Sequence, residues 1–237
     1  MTMASDKLPE KSSRADIDAF IKKAASLPIN RPAGQSGRLI FAMDATASRE
    51  PTWDHACHIQ AEMFAETAAL GGLEIQLCYY RGIGEFKASS WLADTASLQR
   101  KMTAVHCLGG YTQIGRVLKH ATAMAKQQRT DALVFVGDCM EEDIDELCQL
   151  AGVLGIHGVP AFMFHEGGDA RARRGFRQIA KLTKGAYCPF DAGSAGQLRD
   201  LLSAVAVYAA GGRLALERFG QRRGETVRRL TRQIDKG

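Results

Sequence analysis

Asp44, Thr46 and Ser48 alternate in the stretch Asp44-Ala45-Thr46-Ala47-Ser48. A tight loop with that spacing can turn one carboxylate and two hydroxyls the same way, and the small Ala45 and Ala47 leave room for it. Two distant segments offer matching groups: Thr112, which follows Gly109-Gly110-Tyr111, and Asp138, which follows Gly137. All five are hard oxygen donors, a set that suits Mg²⁺, or Mn²⁺, better than zinc or copper. Mg²⁺ prefers octahedral oxygen and keeps water, so a site with few direct carboxylates leaves a position that an incoming Asp or Glu can fill. A purely local explanation competes with this one, because Asp, Thr and Ser are also favoured at helix starts in any α/β fold.

The elements around these residues alternate. Apolar runs at Leu39–Met43, Leu73–Tyr80, Glu85–Ser89, Ala132–Val136, Val159–Phe164 and Ala186–Phe190 read as strands. The short Arg-Gly-Ile-Gly gap before Glu85 makes the second and third a hairpin. Helical patterns fall near 53–70, 94–102, from Thr112 to about 127, 141–154, 171–182 and 195–209. This order predicts an α/β fold: a doubly wound, mostly parallel six-stranded sheet with one antiparallel edge strand and helices on both faces. Ligands of such sheets sit beyond the carboxyl ends of the strands, where the winding reverses. Asp44 and Asp138 are expected there.

With these positions in place, the sequence resembles the von Willebrand factor A (VWA) family, of the intracellular bacterial type. That family's metal-ion-dependent adhesion site (MIDAS) reads D-x-S-x-S, then a Thr, then an Asp. The turn Gly109-Gly110-Tyr111-Thr112-Gln113-Ile114 looks like the family's G-G-T-x-I with Tyr111 inserted, and Thr46 stands where the family usually has Ser. The resemblance covers roughly residues 38–210. It implies that Ser48, Thr46 and Thr112 supply hydroxyl oxygens to the metal, that Asp44 and Asp138 act largely through water, and that a protein partner's Asp or Glu carboxylate completes the shell. Arg49, Tyr111, Glu141, His165 and Glu166 fall where a binding rim would lie. The implied role is protein binding in a cytosolic assembly, not catalysis. A metal-dependent hydrolase or phosphotransferase is the alternative, with Glu142, Asp143 or His165 as candidate bases.

Other candidates carry less. Glu141, Glu142 and Asp143 could make a second metal site, but acids in a first helical turn are accounted for by the helix dipole. His55 and His58 lack a third ligand at matching spacing. Gly82 and Gly84 join hairpin strands and open no helix, so neither a nucleotide cofactor nor a P-loop is indicated.

The chain has 237 residues, 46% of them apolar, enough for one substantial core. Three parts are expected: an N-terminal amphipathic helix and linker over 1–37, the main domain over 38–210, and a basic C-terminal tail over 211–237. Ile17, Phe20, Ile21, Ala24 and Leu27 recur at helical spacing in the first of these. The formal charge of +5 belongs to the tail: residues 213–237 carry eight Lys/Arg against three Asp/Glu, and the rest of the chain balances. Val227, Leu230 and Ile234 recur among the tail arginines, so a basic amphipathic helix could meet an acidic protein, a nucleic acid or a membrane surface. Nucleic-acid binding through this tail on a VWA scaffold is a further alternative. The six cysteines form no C-x-x-C pair and read as small apolar residues in a reducing compartment. The polar start and the lack of a long apolar run give a cytoplasmic expectation.

Overall fold

A computed structural model describes residues 36–50, 72–190 and 195–234, together with 18, 19, 23, 53, 54, 66 and 67. The helix expected over 13–27, most of the linker after it, and most of the helix expected over 53–70, including His55 and His58, lie outside the described residues. So do the side chains of the tail from residue 221 onward.

Six strands form one sheet: β1 (Gly37–Asp44), β2 (Leu73–Arg81), β3 (Glu85–Leu92), β4 (Ala132–Gly137), β5 (Ala161–Glu166) and β6 (Ala186–Phe190). Their order is β3-β2-β1-β4-β5-β6. β1 pairs in parallel with both β2 and β4, β4 with β5 and β5 with β6, whereas β3 runs antiparallel to β2 at one edge. This is the expected doubly wound arrangement. The chain leaves β1 toward β2 and β3, then crosses to β4 on the other side of β1. The carboxyl ends of β1 and β4 therefore frame the switch point, and Asp44 and Asp138 lie there.

The strands read as continuous apolar runs because both faces are covered. Side chains alternate along β1: Leu39, Phe41 and Met43 join one buried cluster, Ile40 and Ala42 the other. The first face is covered by α1 (Thr95–Thr103), through Leu98 and Met102, and by the last helix. The second is covered by α2 (Ile114–Gln127), α3 (Ile144–Ile156) and α4 (Ala170–Leu182), through residues such as Val117, Leu147 and Phe176. Burying a side chain such as Phe176 contributes roughly 1.5–3 kcal/mol, so these two layers hold the strand ends in fixed relative positions.

The last helix, α5 (Ala195–Ile234), is two helical segments meeting at Gly212, where the backbone leaves helical geometry (φ 72°, ψ −167°). Gly37 permits its close approach to the sheet: a Cβ there would sit 2.3 Å from the carbonyl oxygen of Ala209. The packing does not stop at residue 210, because Leu216 and Phe219 belong to the same buried cluster as Leu201 and Val205.

Two helices begin later than their sequence patterns suggest. α2 starts at Ile114 and not at Thr112, and α3 starts at Ile144 and not at Glu141. The reason is capping. Asp143 accepts from the backbone N–H groups of Asp145 and Glu146 and starts α3. Glu142, left on the preceding loop, reaches back to accept from Ile114 N (2.7 Å) and Gly115 N (2.8 Å). Those are two of the donors that the first turn of α2 cannot satisfy internally, and Gln113 at its N-cap makes no side-chain cap.

Candidate metal centre

Three loops meet at the switch point. The first follows β1. Asp44 is fully buried, and its carboxylate accepts from Thr46 N (2.7 Å) and from the Tyr80 hydroxyl (3.0 Å). Tyr80 is placed for this by register, because it is the β2 residue paired with Asp44. A short 3₁₀ turn, Ala47–Arg49, follows and turns Ser48 toward β4. The Ser48 hydroxyl donates to Asp138 Oδ2 at 2.8 Å, and Thr46 Oγ1 lies 3.5 Å from Ser48 Oγ. Thr46 makes no side-chain cap to that turn, so capping does not account for its hydroxyl.

The second loop carries Thr112. Leu108 N donates to Ala45 O and Gly82 N to Leu108 O, which ties this loop to both the Asp44 loop and the β2–β3 hairpin. The approach at Gly110 admits no side chain: a Cβ there would lie 2.1 Å from Gly82 O. Thr112 and Glu141 then bond reciprocally, Thr112 N to the Glu141 carboxylate (2.9 Å) and Glu141 N to the Thr112 hydroxyl (3.0 Å). That reciprocal pair fastens Thr112 to the third loop, the one that follows β4 and carries Asp138. A hydroxyl oxygen accepting one hydrogen bond keeps a second lone pair, so Thr112 retains donor capacity toward a cation.

At the centre, Asp138 Oδ1 is buried and has no hydrogen-bond partner. Carboxylate oxygens of Asp44 and Asp138 and the Sγ of Cys139 all lie within 4.8 Å of one another. Burial is the main cause that raises the Asp44 pKa; the hydrogen bonds from Thr46 oppose it, and the neighbouring Asp138 charge raises it further. The Cys139 thiol is pushed up to about 12, first by burial and then by the charges of Asp138 and Asp44. Two close carboxylates, one of them buried with a raised pKa and the other with an orphaned oxygen, are the electrostatic complement of a cation. The residues present therefore fit a divalent ion: Asp44, Thr46, Ser48 and Asp138 converge, and Thr112 is tied to the Asp138 loop by its bonds to Glu141.

The expected rim is only partly a rim. Tyr111 is 63% exposed and Glu141 is exposed, but Arg49 and His165 are buried. Arg49 is held inside by an ion pair with Glu166, which joins the Asp44 loop to the end of β5. His165 is the last fully enclosed residue of β5 and acts from beneath the site. Its Nε2 lies 3.1 Å from Asp138 O and its Nδ1 2.9 Å from the Tyr187 hydroxyl. A carbonyl only accepts, so Nε2 carries the proton and Nδ1 accepts from Tyr187. Burial lowers the His165 pKa, in keeping with that neutral tautomer. The sequence pattern could not show this, because the neighbours that bury His165, Phe176 and Tyr187, come from α4 and β6. Cys139, which by composition reads as a small apolar residue, lies directly after Asp138 at a strand end and so at the site.

No family model matches the sequence, and no curated protein matches it. Solved structures do match its fold. A von Willebrand factor type A protein from Catenulispora acidiphila superposes with a TM-score of 0.61 at 16% identity, over 73% of this chain and 43% of that one. The SpRpn10 VWA domain gives 0.54 at 15% identity over 75% and 97%. The pilus adhesin SpaC from Lactobacillus rhamnosus GG gives 0.57 at 12% identity over 78% and 31%. This chain thus spans less than half the length of the first and third of these. At such identities the likeness is one of fold.

Proposed function

We propose that this chain, a VWA-type domain by fold, is a metal-ion-dependent protein-binding module. Asp44, Thr46, Ser48, Thr112 and Asp138 hold one divalent ion, in the first instance Mg²⁺ or Mn²⁺, and the ion recognises an Asp or Glu carboxylate of a partner protein. The observation that carries this reading is the buried, unpartnered Oδ1 of Asp138 beside the fully buried Asp44 at the switch point of the sheet. When bound, the ion supplies a positive charge with an exchangeable position. The protein's own groups supply the rest: Tyr80 and Thr46 N fix the Asp44 carboxylate, Ser48 orients Asp138, and His165 holds the Asp138 backbone from below.

Binding is favoured over hydrolysis because each candidate base already has a structural task. Glu142 accepts two backbone N–H groups of α2, Asp143 caps α3, and His165 is enclosed with both ring nitrogens engaged. The test is calorimetric titration of metal-stripped protein with Mg²⁺ and Mn²⁺, beside an Asp44→Ala, Ser48→Ala double variant of matched circular dichroism. Saturable binding to the wild type, weakened at least about tenfold in the variant, is expected. Equal heats from both proteins would reduce the Asp44–Ser48 loop to a local turn.

A further inference from the structure

The oxygen donors of the centre have a neighbour of different chemistry. β4 delivers Gly137-Asp138-Cys139 to the switch point, and Cys139 is a free thiol, partly accessible, beside Asp138. Its Sγ and one oxygen each from Asp44 and Asp138 all lie within 4.8 Å of one another. A tetrahedral zinc-class ion, with bonds of about 2.3 Å to sulfur and about 2.0–2.2 Å to oxygen, holds neighbouring ligand atoms roughly 3.5 Å apart. The three atoms, within 4.8 Å of one another, reach such a shell by closing roughly 1.3 Å or less. The second observation is again Asp138 Oδ1, a buried atom that meets no hydrogen-bond donor at ordinary geometry; the Cys139 thiol interacts with the same carboxylate, and its proton is what a metal would replace.

Hard Mg²⁺ gains nothing from sulfur, whereas zinc and cobalt bind it readily. We infer that Cys139 is a ligand of the ion held by Asp44 and Asp138, and that the centre is a mixed carboxylate–thiolate site preferring zinc-class divalent ions over Mg²⁺. This rests on reading the Asp44–Asp138 cluster as a metal site, and it changes which ion fills it. On binding, the metal–sulfur bond forms as the thiol proton leaves to solvent, with no change of oxidation state. Three protein ligands leave a fourth position for water, Ser48 or a partner's carboxylate, the open arrangement that permits exchange.

Titrating Co²⁺ into the reduced, metal-stripped full chain provides a readout independent of any partner. A thiolate ligand gives an intense near-ultraviolet sulfur-to-cobalt charge-transfer band that oxygen ligands do not. The expected result is such a band saturating at one Co²⁺ per chain, bleached by Zn²⁺ but not by equal Mg²⁺. In Cys139→Ser, and in Cys139→Ala as a second variant checked by circular dichroism, the band disappears and Zn²⁺ affinity falls at least about tenfold, while Mg²⁺ affinity is unchanged. If Co²⁺ binds the wild type without the band, or the band survives in both variants, Cys139 is not a ligand and the oxygen-only site stands. If neither Co²⁺, Zn²⁺ nor Mg²⁺ binds the wild type, the metal reading itself is overturned together with this inference.

Discussion

A buried ionisable side chain must either find compensation or surrender its charge, and the described residues show both outcomes. Asp44 is compensated by two hydrogen-bond donors, although burial still raises its pKa; His120 and His165 surrender. His120, half-buried on α2, donates from Nε2 to Gln76 Oε1 at 2.8 Å and packs against Phe86, and burial lowers its pKa from 6.5. Its folded pKa lies below its unfolded one, so the unfolded chain binds the extra proton more readily as the pH falls. The contribution of a neutral His120 is therefore complete above about pH 6.5 and is lost as the pH drops from there through the folded pKa. Urea unfolding at pH 7.5 and pH 5.5 should show a decline in wild type that is smaller in His120→Gln. An equal decline in both proteins would remove His120 as a cause. At this scale the sequence disclosed which oxygens come together, since Asp44, Ser48 and Asp138 announce themselves by lying next to strand ends. It hid the burial of Arg49 and His165, because that is decided by Glu166, Phe176 and Tyr187, whose proximity exists only after the sheet has formed.

One helix in this domain, α2, is started by a residue outside it. Glu142 sits on the loop before α3 yet accepts the first free N–H groups of α2, and its charge faces the positive end of that helix. Glu141 on the same loop holds Thr112 N. The loop after β4 thereby both carries Asp138, a proposed ligand, and forms the clamp that sets where the Thr112 loop ends. Glu142→Ala leaves two buried-end donors without their acceptor, which should cost about 1–2 kcal/mol in chemical denaturation. Metal affinity should weaken with it, because Thr112 and Asp138 are positioned by the same clamp. A stability loss without any change in affinity would separate the two roles. The periodicity of apolar residues located the six strands, α1 to α4 and the first segment of α5, because side-chain burial on a two-faced sheet is periodic. It misplaced the starts of α2, whose cap comes across a loop from Glu142, and of α3, whose N-cap Asp143 leaves Glu141 and Glu142 on the loop, because capping leaves no periodic trace.

The two faces of the sheet are covered unequally in kind: three helices guard one side, while among the described residues the other relies on α1 and the long final helix. A charge-based reading ends the domain near residue 210, where arginines begin to accumulate. The core ends later. Gly212 bends the chain, and Leu216 and Phe219 return to the same cluster as Leu201, Val205 and Phe162, nearly inaccessible to solvent. Basic composition and core membership thus overlap on this segment, since arginines at intervening positions do not prevent every third or fourth residue from packing. A chain ending after residue 210 uncovers that cluster and forfeits two large apolar side chains, each worth roughly 1.5–3 kcal/mol of burial. Its unfolding free energy should therefore fall by about 3–6 kcal/mol, a large part of what holds a domain of this size together. A chain ending after residue 220 retains both side chains and should keep most of that stability. Comparing urea midpoints of the two truncations with the full chain decides between them: equal midpoints for both would mean that the segment beyond Gly212 is an appendage, and a drop confined to the shorter chain would make it part of the domain that aligns the switch point.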